Sequence, residues 1–553
     1  MSRTAPAGTP LGDAFHVYDT TLRDGAQREG ISYSVADKLA VARHLDELGV
    51  GFIEGGWPGA LPKDTEFFTR AAAGELQLQH AALVAFGATR KAGAKTSEDL
   101  QVRALLDSAA PVITLVAKSD RRHIERALRT DVVENCAMVA DTVALLRSEG
   151  RRVFLDAEHF FDGYRFDPDT ALRVLEAAVT AGADVAVLCD TNGGMVPLGI
   201  AEVVTEVAAR TGFRLGIHCQ DDTGCAVANS VTAVQAGATH VQCTANGYGE
   251  RTGNADLFAT VGNLVTKLDM PVLPDGAFGE LTRTSHALAE IANIAPDTHQ
   301  AYVGTSAFAH KAGLHASAIK VDPELYNHMD PVDVGNGQRV LVTEMAGRAS
   351  VELKASELGL DLAGRPEAVS SVVATVKERE AHGWSFEAAD ASLELLMRGA
   401  LGEVAAPPFR LESYRVITEH RADGEVTAEA TVKIILDDGR RLIATQEGNG
   451  PVNALDAALR AALTPSCPWL ADVELSDYKV RILTPGGVRD DGSGHGTGAV
   501  TRVLVESSRT DRVGSWTTIG VHGNVVEASW LALVDALAYA ALHHRSPEPL
   551  SAR

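Results

Sequence analysis

Residues 15–31 read FHVYDTTLRDGAQREGI, and this stretch decides the fold. FHVYDT (15–20) is a short, nearly continuous apolar run, the pattern of a parallel strand buried on both faces. It passes directly into TLRDGAQ (21–27). An open, doubly wound sheet usually carries a G-x-G-x-x-G at that point; here an Arg-Asp pair stands there instead. Working outward, seven runs of the same character follow: VGFIEGG (50–56), AALVAFG (81–87), VITLVAK (112–118), RVFLDAE (152–158), VAVLCDT (185–191), RLGIHCQ (214–220) and HVQCTANG (240–247). Amphipathic helical stretches separate them. Ser34-Val-Ala-Asp37 has the form of a helix start, Leu39, Ala42, Leu45 and Leu48 share one face, and Gly49 supplies the stop. Asp167-Pro168 to Gly182 and Thr223 to Gly237 repeat the design. Eight strands, each followed by a helix, predict an α/β protein built on a (β/α)8 TIM barrel.

Barrels of this kind place their chemistry at the C-terminal ends of the strands. Asp19, Arg23 and Asp24 follow the first run, Glu54 lies on the second and Lys118 ends the fourth. Asp156 and Glu158 end the fifth, Asp190, Thr191 and Asn192 the sixth, His218 and Gln220 the seventh, and Asn246 the eighth. Polar and ionisable residues thus gather at one end of the runs, which identifies the active face before any family is considered.

The 553 residues suffice for two to four domains at roughly 100–200 residues each. Fifty Lys+Arg against 73 Asp+Glu leave a net charge of −23, which repels nucleic acid and anionic membranes. No uncharged apolar stretch approaches 18 residues, so no transmembrane helix is expected. Residues 1–13 (MSRTAPAGTPLGD) lack an apolar signal core and read as a disordered lead-in. The six cysteines include no C-x-x-C pair, which argues against a zinc ribbon or a disulfide framework and suits a reducing cytoplasm.

After a catalytic barrel over 14–285, residues 286–403 are expected to be helical subdomains, interrupted by the polar insert around His310 and His315 and followed by Tyr326. Pro407-Pro408 marks a boundary, and 404–553 reads as a C-terminal α+β domain. It contains a ββα unit used twice: hairpin 430–448 with helix 453–463, and hairpin 499–523 with helix 524–542. A flexible glycine-rich loop, Gly486 to Gly498, lies between them. The domain carries few catalytic candidates and reads as regulatory, effector-binding or dimerising.

Asp24, His218 and Gln220 are the candidate metal ligands. His218 and Gln220 stand at i and i+2 on one strand, so their side chains share a face. Asp24 would add a carboxylate from the opposite side of the mouth. One imidazole with oxygen donors suits a divalent ion that keeps open water positions; the alternative is a histidine that merely hydrogen-bonds at a strand end. Arg23 is either a fixed cation that polarises a carbonyl or a loop arginine. Glu158 and His315 are either a carboxylate–imidazole base or unrelated residues, 157 positions apart. Tyr326 either handles a proton or packs. Cys189, Cys219 and Cys243 read as small core residues.

The segment from Tyr18 to Ile31 resembles the signature opening of the DRE-TIM metallolyases, the α-isopropylmalate, homocitrate and citramalate synthases. The resemblance continues through GGWPG (55–59), VAFGATRK (84–91), DAEHFFDGY (156–164), LCDTNGG (188–194), ANGYGERTGNADL (245–257), AGLHASAI (312–319), HGWSFEAADASLELLMR (382–398), GNGPVNAL (448–455) and VHGNVVEASWLALVDAL (521–537). Several of these are most similar to the (R)-citramalate synthase branch. The resemblance implies that Asp24, His218, Gln220 and Asn254 surround a divalent metal, that Arg23 polarises a keto carbonyl, and that Gln27 and Thr191 bind substrate. It further implies that Glu158 and His315 deprotonate acetyl-CoA, with Tyr326 beside them. The implied reaction is a metal-assisted Claisen condensation of acetyl-CoA with an α-keto acid, most readily pyruvate, within isoleucine and leucine biosynthesis. A cytoplasmic homodimer with an amino-acid effector at the C-terminal domain is expected.

Two departures from the family pattern bear on this. Gln220 stands where the family carries a second metal histidine, which favours a hard ion such as Mg²⁺ or Mn²⁺ over Zn²⁺. Ala117-Lys-Ser-Asp120 replaces a segment expected to bring a tryptophan to the mouth, which predicts an altered pocket and admits another α-keto acid. A non-catalytic, metabolite-binding regulator is the remaining alternative.

Overall fold

Each of the eight apolar runs forms a strand: β1 (His16–Asp19), β2 (Phe52–Glu54), β3 (Ala82–Ala88), β4 (Val112–Lys118), β5 (Arg152–Glu158), β6 (Val185–Asp190), β7 (Leu215–Cys219) and β8 (His240–Cys243). The computed structural model describes residues 12–362, 364–403, 406–483 and 499–544. The strands pair in parallel in sequence order, and β8 closes on β1 with His16 to Asp19 opposite His240 to Cys243. The (β/α)8 barrel expected from the sequence is the observed fold. Closure seats β8 between β7 and β1. Asp24 and His218 therefore reach the mouth from strand ends with a single strand between them, not from opposite sides.

The helices that wrap the barrel are α1 (Val35–Leu48), α2 (Pro62–Arg70), α3 (Leu100–Asp107), α4 (Arg121–Arg126), α5 (Val132–Ser148), α6 (Phe160–Phe166), α7 (Pro168–Thr180), α8 (Pro197–Thr211), α9 (Ala226–Gln235) and α10 (Leu257–Leu268). The Ser34 hydroxyl accepts from the Asp37 amide at 3.2 Å and the Asp37 carboxylate accepts from the Ser34 amide at 2.8 Å, a capping box that opens α1. Gly49 ends it at φ +87°, where a Cβ would also collide with Pro274. Alternate strand residues separate two cores, as a pleated strand requires. Tyr18, Phe52, Val84, Val112, Phe154, Val185 and Val187 form one cluster, in the lumen. Ile53, Ala85, Ile113, Leu155, Ala186, Ile217 and Val241 belong to the larger cluster beneath the helices.

The described residues through Phe308, together with Asn327–Gln338, form one compact unit; Ala309–Tyr326 and the chain from Arg339 onward form a second. The first unit ends with α11 (Leu281–Ile291). The second begins with β9 (Ala309–His310), α12 (Gly313–Ile319) and β10 (Arg339–Val340), then α13 (Arg348–Glu357), α14 (Pro366–Ala381) and α15 (Asp390–Ala400). Helix is thus sparser between α11 and α13 than the sequence suggested, because Pro296, Pro323, Pro331 and Gly335 punctuate the chain.

Two βββα modules follow. The first is β11 (Phe409–His420), β12 (Val426–Leu436), β13 (Arg441–Gly448) and α16 (Pro451–Leu463); the second is β14 (Val473–Leu483), β15 (Val500–Arg509), β16 (Arg512–His522) and α17 (Val525–His543). Both sheets are antiparallel in sequence order. Each contains the anticipated ββα unit and one further strand before it. β11 and β14 are edge strands with mostly exposed or half-buried residues, so no apolar run announces them. The Gly486–Gly498 loop and residues 1–11 lie outside the described residues. Gly12–Ala14 form a 3-10 turn, and Asp13 pairs with Arg152 at 2.8 Å.

Among the described residues one helix, α17, is long and apolar enough to cross a membrane by length and composition, with half of that window buried. Here it is a core helix: Ala528, Trp530, Leu533 and Leu537 are buried, and the Thr518 hydroxyl of β16 donates to the Ala532 carbonyl at 2.8 Å.

Lys38 of α1 is buried, pairs with Asp64 of α2 and donates to the Gly55 carbonyl at 2.9 Å. Asp64 in turn accepts from the Trp57 amide at 2.8 Å, so this pair sets the 55–59 loop that carries Trp57 to the mouth. Removing one partner strands the other charge, at a cost of about 3–5 kcal/mol. Lys38→Met and Asp64→Asn are each expected to lower the urea midpoint of the barrel, and the double variant Lys38→Met/Asp64→Leu to recover part of the loss.

Candidate active site

The turn after β1 is shaped by Asp19, whose carboxylate accepts from the Thr21 amide and hydroxyl at 2.9 and 2.8 Å. Burial pushes this carboxyl up to about 7, against those two bonds. The turn delivers Arg23 and Asp24 to the mouth side by side, with Arg23 Nη1 donating to Asp24 Oδ2 at 3.2 Å.

Glu54, fully buried at the end of β2, holds Arg23 in place. One carboxylate oxygen accepts from the Tyr18 hydroxyl at 2.5 Å; the other accepts from the Thr20 hydroxyl at 2.5 Å and from Arg23 Nε at 2.6 Å. The guanidinium also lies over the Phe86 ring, 3.9 Å from its centroid. Burial disfavours the cation, but the Glu54 and Asp24 carboxylates outweigh it and keep Arg23 charged.

His218, at the end of β7, lies 3.4 Å through Nε2 from Asp24 Oδ2. Its Nδ1 is 2.8 Å from Gln242 Oε1, and Gln242 Nε2 donates to Asp156 Oδ1 at 2.8 Å. Gln220 faces Asn254 across an isolated bridge, and Asn254 Nδ2 donates to the Tyr248 carbonyl at 2.9 Å. Burial opposes ionisation of Asp24, but the Arg23 charge and the amides of Asn254 and Gln220 hold its carboxyl below the usual range. Burial pushes the His218 imidazole down, which keeps it neutral against the pull of Asp24. Burial, then the Glu54 charge, push the Asp156 carboxyl up to about 8.

Two buried oxygens in this cluster, Gln220 Oε1 and Asn254 Oδ1, have no hydrogen-bond partner. Buried acceptors are rarely left so. With the Asp24 carboxylate and a neutral imidazole, they would offer three oxygens and one nitrogen, a set that could hold a divalent ion. Among the described residues no group of three His, Cys, Asp or Glu side chains is placed to hold a metal; this set contains two such residues and two amides.

Thr191, after β6, accepts from the His159 amide at 2.8 Å, which leaves its own proton to donate. Glu158 pairs with Lys118, and the Ser119 hydroxyl donates to the Glu158 carbonyl at 2.8 Å. Asp120 is fully buried, caps α4 through the Arg122 amide at 2.8 Å and binds the Arg122 guanidinium. It does not line the cavity. Within the altered 117–120 segment, Ala117 and Lys118 line the cavity, whereas Asp120 serves a helix start. Arg23, Asp24, Gln27, Glu158, Thr191, His218 and Gln220 all line one cavity of about 600 Å³ at the barrel mouth, with Trp57, Phe86, Lys118 and Arg251. Asn254, bridged to Gln220, instead lines a neighbouring cavity of about 260 Å³ with Arg28, Tyr248 and Asp256. His315 and Tyr326 belong to the second unit, where their rings stack with centroids 4.1 Å apart. Burial pushes the thiols of Cys189, Cys219 and Cys243 up, as expected of core residues.

Sequence reasoning missed Gln242, and with it the link to Asp156. The available signal was a long polar side chain inside the apolar run of β8, at a position two residues from His240, where alternation points it into the lumen.

A closed parallel barrel with this mouth is the HMGL-like class, whose family model matches residues 14–288. Residues 302–383 match the homocitrate synthase post-HMGL domain-like model, and 387–541 the LeuA allosteric (dimerisation) domain. The (R)-citramalate synthase of Streptomyces coelicolor is 62% identical over 536 residues, 97% of this chain and 98% of that protein. Those of Synechocystis sp. and Aquifex aeolicus are 49% and 44% identical, over 95% and 96% of this chain and 95% and 98% of theirs. The chain belongs to the (R)-citramalate synthase family.

A hard ion bound at the four-residue donor set stabilises the folded state by mass action, by about 2.7 kcal/mol at a hundredfold excess over Kd. Mn²⁺ or Mg²⁺ is therefore expected to raise the unfolding temperature of chelator-stripped protein. Asp24→Asn should remove that shift.

Proposed function

We propose that the protein condenses acetyl-CoA with pyruvate to give (R)-citramalate and CoA, acting as an acyltransferase in branched-chain amino-acid biosynthesis. The observation that carries this reading is the buried Arg23 cation, pinned by Glu54 beside the Asp24–His218–Gln220–Asn254 donor set in the mouth of a family barrel.

Arg23 is oriented before substrate arrives, because Nε is engaged by Glu54 and Phe86 supports the plane. Its remaining N–H groups donate to the keto oxygen of the α-keto acid and to the alkoxide that develops there. A preorganised donor of this kind stabilises the transition state without reorganisation. Thr191 donates its hydroxyl proton to the substrate carboxylate, and Gln27 lines the rim. A hard divalent ion, Mg²⁺ or Mn²⁺, held by Asp24, His218, Gln220 and Asn254 would supply Lewis-acid polarisation of the keto group.

His315 is the proposed base that takes a proton from the acetyl methyl group. The resulting carbanion bonds to the keto carbon, the carbonyl π pair becomes the alkoxide, and the alkoxide is protonated. Water then cleaves the thioester and releases CoA as its thiol. Tyr326, stacked on the His315 ring, holds the imidazole plane. The family resemblance pairs Glu158 with this base; the two belong to different units, and their roles are tested separately. The match of 387–541 to the LeuA allosteric (dimerisation) domain supports a homodimer with an amino-acid effector at that domain, and the reading as a whole is of a cytoplasmic enzyme.

Thiol release from acetyl-CoA by chelator-stripped protein, with Mn²⁺ or Mg²⁺ restored, is expected with pyruvate before 2-oxobutyrate, 2-oxoisovalerate or 2-oxoglutarate. Preference for another acid would move the assignment to its alkylmalate, and silence with all four would favour the regulator. Zn²⁺ outperforming Mn²⁺ and Mg²⁺ would refute the hard-ion reading. Arg23→Gln is expected to lower kcat by about 10²–10³-fold. His315→Asn and Glu158→Gln, measured separately, should lower kcat with little change in KM for pyruvate, His315→Asn by about 10²–10⁴-fold.

A further inference from the structure

We propose that Gln242 is a positioning residue, which locks the His218 ring in the tautomer whose bare Nε2 faces Asp24 and does so by bridging the lumen to Asp156. The inference rests on the metal reading above for its functional consequence, but its geometry stands alone. Gln242 on β8 lies directly opposite His218 on β7 in the parallel register, and Asp156 sits on β5, three strands away around the barrel. Gln242 therefore spans the interior, with Oε1 2.8 Å from His218 Nδ1 and Nε2 2.8 Å from Asp156 Oδ1. All three side chains are buried.

The two ends of the amide are not interchangeable. With Asp156 Oδ1 as acceptor, the NH2 group must face it, which turns the carbonyl oxygen towards His218. A carbonyl accepts only, so Nδ1 must carry the imidazole proton. A neutral ring has one such proton, and Nε2 is left as a lone pair 3.4 Å from the Asp24 carboxylate. Nε2 is then a bare acceptor facing Asp24 Oδ2, which takes one hydrogen bond from Arg23 Nη1, and Gln220 Oε1 and Asn254 Oδ1 are further acceptors without partners, which a cation would satisfy. A metal-binding histidine whose other nitrogen is held by a hydrogen bond is oriented and made more basic. In the opposite arrangement Asp156 donates, the amide flips, and His218 carries its proton on Nε2, pointing at Asp24.

The test uses metal-free full-chain protein selectively labelled with ¹⁵N-histidine, with His218 assigned by comparison with His218→Gln. The expected ¹⁵N spectrum shows His218 protonated at Nδ1 in the wild type and in Gln242→Glu, which keeps the acceptor, and a tautomer mixture in Gln242→Met. Titration with Mn²⁺, followed by the electron paramagnetic resonance of the free ion, should show Gln242→Met binding about 10–100-fold more weakly. Gln242→Glu should stay near the wild-type value. A wild-type His218 protonated at Nε2 overturns the proposal. So does a Gln242→Met protein that is folded by circular dichroism and binds Mn²⁺ as tightly as the wild type. Wild-type protein that takes up no Mn²⁺ would refute the metal reading instead, and the tautomer would still decide the role of Gln242.

Discussion

The mouth of the barrel depends on one buried carboxylate. Glu54 has no exposure to solvent, and an ionised carboxylate in that position is tolerated only if its lone pairs are used. Tyr18, Thr20 and Arg23 use them, which ties the end of β2 to β1 and to the loop that follows it. Because Arg23 is adjacent to Asp24, the same anchor sets the distance between the fixed cation and the ligand cluster. The requirement to satisfy one charge thereby converts a flexible strand-to-helix connection into a defined surface.

Around this anchor the site is assembled from strand ends that are rigid because the strands are buried on both faces. His218 and Gln220 come from β7 and its continuation, Gln242 from β8, Asp156 from β5 and Thr191 from just beyond β6. None of these positions depends on a long loop. The 117–120 segment shows the opposite use of a strand end: Asp120 is spent on capping α4 and binding Arg122, so its charge serves the fold and not the cavity. Composition at the mouth is therefore a guide to chemistry only where the side chain faces the lumen.

Much of the barrel was legible because its signals are local. A run such as VITLVAK or VAVLCDT is apolar on both faces, and the Ser34–Asp37 box and Gly49 mark helix ends by short-range hydrogen bonds and backbone conformation. The candidate residues at the mouth were legible for the same reason, since strand ends can be read one at a time. β11 and β14 were not, because an edge strand with little burial has no apolar pattern to display. Gln242 was passed over because a single polar residue in a core strand is informative only when its partner is known, and that partner, Asp156, is 86 residues away.

By itself the sequence determined the number and order of the barrel strands, the residue types at their C-terminal ends and the motifs that carry the family resemblance. Periodicity, caps and ordered motifs are all properties of short windows. Only the tertiary structure decided that Asp24 and His218 arrive from strands with one strand between them, that Gln242 meets Asp156 across the lumen, that Gln220 and Asn254 leave their oxygens unpartnered, and that Asp120 turns away from the cavity. Those facts follow from barrel closure and from the burial it imposes, and closure is a relation between strands that no single segment of the chain contains.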